Sequence, residues 1–388
     1  MKYKNILILF LLVSASCKED NKLISPLMDR DLILTKQDSV YFHLDSISTG
    51  RNANSSLYRD NGKLFYTFLN KKNNSLYFYN IESPNITKVI PFELEGENGV
   101  GNISSFHISN MDSIFLYNYG RGQTFLADSN SKILRKYFVN PEINAVKPQV
   151  DNRRPLVKMG NQLIFNSWGS EKEYYKNSYF PETLFMSLDL KESTKKYIIS
   201  YPDSYKEAVW GVQFFQAYHE FNEKDNKLII SFPIENDLFV YDFEGLTLNA
   251  ISTNTKRKLK IEPLSSTADK FVPDITEEVK HQMGQSYYTV IKYDSVNDIY
   301  VRVINESFDE KFINEFSGIG SVYGAYSLVF LDNKFQTIGM VSLPSNSYYL
   351  GSMFFEGGKM YLEKIQNYDE DLLVFDVFNF SWMREKRK

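Results

Sequence analysis

The side chains able to do chemistry are few in this chain, and they are scattered. There are four histidines, His43, His107, His219 and His281, and one cysteine, Cys17. No two histidines stand at the spacing that sets two imidazoles on one face of a helix, and a lone cysteine builds neither a disulfide nor a thiolate cage. The expectation is no metal centre and no cofactor. Gly96-x-x-Gly99-x-Gly101 has its glycines in the wrong order for a dinucleotide loop, and Ile103–Ile108 after it reads as strand where a phosphate-binding helix would begin. It reads as a connection between β elements. Gly357-Gly358-Lys359 lacks the rest of a P-loop, and Asp369-Glu370-Asp371 reads as a solvated turn.

Two histidines carry more interest. His107 and His219 fall in Phe106-His107-Ile108 and Tyr218-His219-Glu220, runs that read as the first strand of a repeated β unit. If those strands line a central channel, each imidazole is an acid or base near neutral pH, or simply a hydrogen-bonded channel residue. The second candidate is a recognition rim. Arg51, Arg121, Arg153, Arg154, Trp168 and Trp210 fall in loops expected to emerge on one face. Guanidinium forks bind carboxylates and indoles stack on ring faces, so such a rim suits a protein or a glycan.

The elements that must position these residues are strands. The chain has 388 residues with 43% hydrophobic and 24% charged, including 27 Tyr and 30 Phe, enough apolar surface to close a core. Lys+Arg 44 against Asp+Glu 48 gives no basic field for nucleic acid. A unit recurs six times: a strand, a tight turn such as Asp60-Asn61-Gly62-Lys63 or Gly357-Gly358, an apolar second strand, and an aromatic third strand. The third strands include Leu76–Asn80, Thr124–Asp128, Leu184–Asp189, Leu238–Asp242, Leu328–Asp332 and Leu372–Asp376. Successive units are about 50 to 70 residues apart, the period of propeller blades. The longer ones carry insertions, one with a short helix expected at Thr276–Met283. The sixth unit lacks an outer strand, and Val40–Leu44 lies ahead of the first unit without a blade of its own. That N-terminal strand is expected to complete the last blade and remove the open edge. The fold expected is all-β: a six-bladed β-propeller of four-stranded blades.

At the N-terminus, Lys2 and Lys4 precede the apolar run Ile6–Val13, which is too short for the roughly 20 residues of a membrane span. Ser14-Ala15-Ser16 then leads to Cys17, and this stretch resembles a bacterial lipoprotein lipobox. Lys18-Glu19-Asp20 resembles the export tag of Bacteroidetes surface lipoproteins. With the blade pattern added, the chain resembles Bacteroidetes lipoproteins of unassigned role with six-bladed, TolB-like propellers. The resemblance implies a signal peptide at 1–16, lipidation of Cys17, a tether at 17–30, and a propeller at 31–388. It also implies a surface-exposed place on the outer membrane, with that membrane as one partner through the Cys17 lipid. Three functions follow as expectations: a binding module for a protein or glycan, a lactonase- or lyase-type propeller enzyme with a metal at the channel mouth, or a structural part of an envelope complex.

Overall fold

The computed structural model describes residues 22–24, 32–49, 54–83, 85–139, 147–168, 184–206, 208–264, 275–316, 324–365 and 369–382. The expected signal peptide, Cys17 and Arg51 lie outside the described residues.

Six antiparallel sheets follow one another along the chain, the first five built in sequence order from an inner to an outer strand and the sixth completed by N-terminal strands. Blade one comprises Ser55–Asp60, Lys63–Asn70, Ser75–Asn80 and Ile86–Pro91, and blades two to five repeat that order. Burial explains the composition of each position. The third strand Ser75–Asn80 is buried along nearly its whole length, because blades pack on both of its faces. The outer strand Thr247–Ile251 of blade four is almost wholly exposed, although Leu248, Ala250 and Ile251 are apolar. The turns hold the residues that a left-handed backbone favours: Asn61 and Gly62 have φ of 48° and 77°, and Gly357 and Gly358 have 58° and 73°.

Among the described residues the core is not one body: an apolar cluster fills each of the six blade-to-blade interfaces, and a smaller seventh gathers Phe214, Ile261 and Tyr287. Blade six is closed by the N-terminal strand. Leu32–His43 pairs with Leu372–Trp382 from Leu32↔Trp382 to His43↔Leu372, a longer strand than Val40–Leu44. The early residues join because Leu32 and Leu34 are fully buried in the cluster between blades five and six. Within the stretch expected as tether, Lys22–Ile24 adds a further short strand against Ile33–Thr35.

The insertions carry two helices, Ile275–Met283 and Glu310–Glu315. Near them, Arg257 grips Glu306 through both carboxylate oxygens, at 2.6 and 2.5 Å. A fully buried arginine, Arg302 of blade five, reaches into blade four. It donates to Ser231 Oγ and to the carbonyls of Phe232, Glu235 and Asn236, with its guanidinium 3.4 Å from the Tyr288 ring centroid. Burial pulls its pKa down to about 10, so it stays charged near neutrality.

Candidate functional site

The inner strands of the six blades surround a cavity of about 320 Å³ on the propeller axis, and every blade contributes to its wall. The inner strands run in one direction along the axis, since each blade repeats the same order. Exposure rises along them. Ser352 and Met353 are buried, Tyr293 and Phe355 are half-buried, and Glu223 at the turn after blade four's inner strand is exposed. The cavity therefore opens toward the turns that join first and second strands.

At its other end the axis is crossed by the tight turn Asp151–Arg154, part of the connection from blade two to blade three. Asp151 and Arg154 exchange backbone hydrogen bonds of 3.2 and 3.0 Å. The Asp151 carboxylate accepts from the amides of Arg153 and Arg154 at 2.9 and 3.0 Å, and from the two guanidiniums at 3.3 and 2.6 Å. Against the opposing effect of burial, Arg154 and Arg153 hold this carboxyl well below the usual carboxylate range.

The turn is tied to four other blades. Asn152 Oδ1 accepts from the Ser55 amide of blade one, and Asn152 Nδ2 reaches Ser352 Oγ of blade six at 3.4 Å. Lys292 Nζ of blade five donates to the Asn152 carbonyl at 3.0 Å, and the His219 amide of blade four donates to the Arg153 carbonyl at 3.3 Å.

Below the turn lies the charged pair of the cavity, Lys292 Nζ 3.1 Å from Glu220 Oε2. Burial pushes the Glu220 carboxyl up, and Lys292 offsets only part of that shift. His107 lines the wall from blade two beside Leu156. Burial lowers it to about 4, so it is a neutral imidazole at pH 7.

The sequence-expected residues are distributed differently from the expectation. His107 does face the cavity. His219 does not. It is fully buried between blades three and four, with its ring 5.1 Å from Phe185 and Nε2 2.9 Å from the Pro155 carbonyl. Adjacent strand residues point to opposite faces, so with Glu220 turned to the axis His219 must turn to the interface.

Arg153 and Arg154 are not an open rim, because both are spent on Asp151, and Arg154 is buried. Trp210 is half-buried, its Nε1 donating to the Ser204 carbonyl at 3.2 Å. Trp168 ends the strand Gln162–Trp168, and its side chain lies outside the described residues. Among the described side chains of this set, only Arg121 stays exposed, folded onto the carbonyls of Gly99 and Leu94 at 3.2 Å each beside a shallow groove.

Asp369–Asp371 is an exposed turn, as its composition suggested. Sequence reasoning missed the Asp151–Arg154 turn, Asn152 and Lys292. One signal was available for a related device. Asn70, Asn118 and Asn166 each stand in the second strand at or near its end, after an aromatic or aliphatic run. Each donates its amide to an interblade connection: Ser48 Oγ at 3.2 Å, Val100 O at 2.7 Å and Ala217 O at 3.1 Å.

Fold and site define a six-bladed β-propeller with an axial cavity crossed at one end. Residues 31–339 match the family described as Domain of unknown function (DUF4221), and the chain belongs to that family. A crystal structure of a DUF4221 member from Bacteroides vulgatus is similar at a TM-score of 0.76 and 19% identity, over 90% of this chain and 98% of that one. A crystal structure of a candidate exported protein from Bacteroides fragilis is similar at a TM-score of 0.50 and 10% identity, over 90% and 96%. At these identities the likeness is one of fold. None of the curated proteins matches the chain.

Proposed function

We propose that this protein is a lipid-anchored propeller on the outer surface of the cell envelope that acts by binding a protein or glycan partner. The observation that carries the reading is the axial cavity, a single concave site to which all six blades contribute. The charged pair deep in its wall, Lys292 and Glu220, is mutually compensated, as expected of a site shaped for recognition. In the rival enzyme reading, a metal at the channel mouth would draw on inner-strand carboxylates. Here the cavity's inner-strand carboxylate, Glu220, already has the Lys292 ammonium where a cation would sit.

Anchoring is supported by Ser14-Ala15-Ser16-Cys17 and Lys18-Glu19-Asp20, and by the fold shared with a candidate exported protein. Among the described residues no helix is long and apolar enough to cross a membrane. Two measurements on intact cells test the proposal. Cys17→Ala should move the protein out of the outer-membrane fraction, and surface crosslinking of the native protein should capture a specific protein or glycan. Retention of Cys17→Ala in that fraction overturns the anchor, and crosslinking that yields nothing beyond a non-binding propeller control overturns the binding role.

A further inference from the structure

We propose that the axial cavity binds one neutral, hydroxyl-bearing ring of the size of a single sugar residue, taken up from the face of the first-to-second-strand turns. The proposal rests on the binding-module reading and names its site and ligand class. Four observations carry it.

The first is size. At about 320 Å³ the cavity stands at the lower end of the roughly 300–1,000 Å³ span of small-molecule sites, so it suits one ring and not an extended chain.

The second is charge. The ammonium of Lys292 is held by Glu220 and by the Asn152 carbonyl, so neither ion is offered to a ligand without loss of its partner. Near the mouth, Lys158 Nζ is turned onto the Gly160 carbonyl at 2.9 Å. Away from the open end, where Lys158 and Glu223 stand, a charged ligand would meet only the compensated Lys292–Glu220 pair and would lose its own hydration. A neutral ligand loses less.

The third is the alternation of wall chemistry. Hydroxyls of Ser55, Ser56 and Ser352 and the His107 imidazole stand among Leu57, Val157 and Met353. A neutral imidazole offers one N–H donor and one acceptor nitrogen, so His107 can meet a hydroxyl with either. A sugar ring has the complementary make-up, with C–H faces for the apolar walls and hydroxyl edges for the donors and acceptors. The lining residues Tyr293 and Phe355, half-buried toward the open end, add aromatic surface along the way in.

The fourth is direction. The Asp151–Arg154 turn crosses the opposite end and is hydrogen-bonded to blades one, four, five and six, so passage there would require breaking those bonds together.

The test uses the purified mature chain and a defined panel of glucose, galactose, mannose, N-acetylglucosamine and glucuronate. Binding is read by saturation-transfer NMR and calorimetry. At least one neutral sugar should bind with a Kd of about 1 mM or tighter, and more tightly than glucuronate. His107→Ala and Ser56→Ala should each weaken it by tenfold or more while thermal unfolding stays cooperative, and Arg121→Ala on the outer surface should leave it within twofold. Should His107→Ala lose its cooperative transition, Ser56→Ala carries the comparison. The proposal is overturned if no neutral sugar binds, if glucuronate binds best, or if the cavity variants bind like the native protein. A partner captured by surface crosslinking while the sugars fail would remove this proposal and leave the binding-module reading standing.

Discussion

Lys292 Nζ lies 3.0 Å from the Asn152 carbonyl and 3.1 Å from Glu220 Oε2, so one ammonium joins blade five to blade four and to the turn that crosses the axis. Replacing it with an apolar side chain strands a carboxylate in a half-dry wall. Lys292→Met should cost about 2 kcal/mol, below the 3–5 of a fully buried pair because some solvent reaches the site. The double variant Lys292→Met/Glu220→Gln should recover part of that loss. Denaturant unfolding of the four proteins measures the coupling, and strictly additive losses would show that the pair does not act as a unit.

Asn152 has the same test in neutral form. Its side chain satisfies the Ser55 amide at the start of blade one and reaches blade six. Asn152→Ala leaves a buried amide unpaired and should cost about 1–3 kcal/mol. Arg121→Ala, on an exposed loop, should change stability by less than about 0.5 kcal/mol. Equal midpoint shifts for the two would remove the turn's bridging role.

Ring closure can be read from two neighbours on the N-terminal strand. Phe42 is fully buried, stacked 5.3 Å from Tyr66 of blade one, whereas Tyr41 is 48% exposed. Phe42→Ala should cost about 3–5 kcal/mol and Tyr41→Ala well under 1. The contrast tests the register of Phe42 with Leu373 and Tyr41 with Val374, because a slip of one residue would exchange the two effects.

Acid should weaken the fold before it reaches the carboxylates. Burial lowers His107 to about 4 and His219 to about 3. The unfolded chain takes a proton on each below about pH 6.5, and the native state does not take it until the lowered values. Stability should therefore fall as pH drops from 6.5 toward 4, by up to about 1.4 kcal/mol per pH unit for each histidine. Asp151, held below the usual range by its arginines, adds a further loss below about pH 4. His107→Gln should flatten the slope between pH 6 and 4.5, and an unchanged slope in urea melts across that window would contradict the buried neutral imidazole.

The blade count, the closing strand and the short helix near residues 275–283 were legible in the sequence because they depend on local rules. Asn-Gly and Gly-Gly select the hairpin backbone, a strand packed on both faces must be apolar throughout, and an orphan strand at the start matches a missing strand at the end. Those rules say nothing of which way an inner-strand side chain faces. His219 and Glu220 are neighbours in the chain, and the pleat sends one to a blade interface and the other to the axis, a choice made by the packing of Phe185 against the imidazole. Nor could sequence tell that Arg153 and Arg154 would fold back on Asp151. The bonds that hold their turn across the axis come from Ser55, His219, Lys292 and Ser352, residues far apart along the chain that meet only when the ring closes.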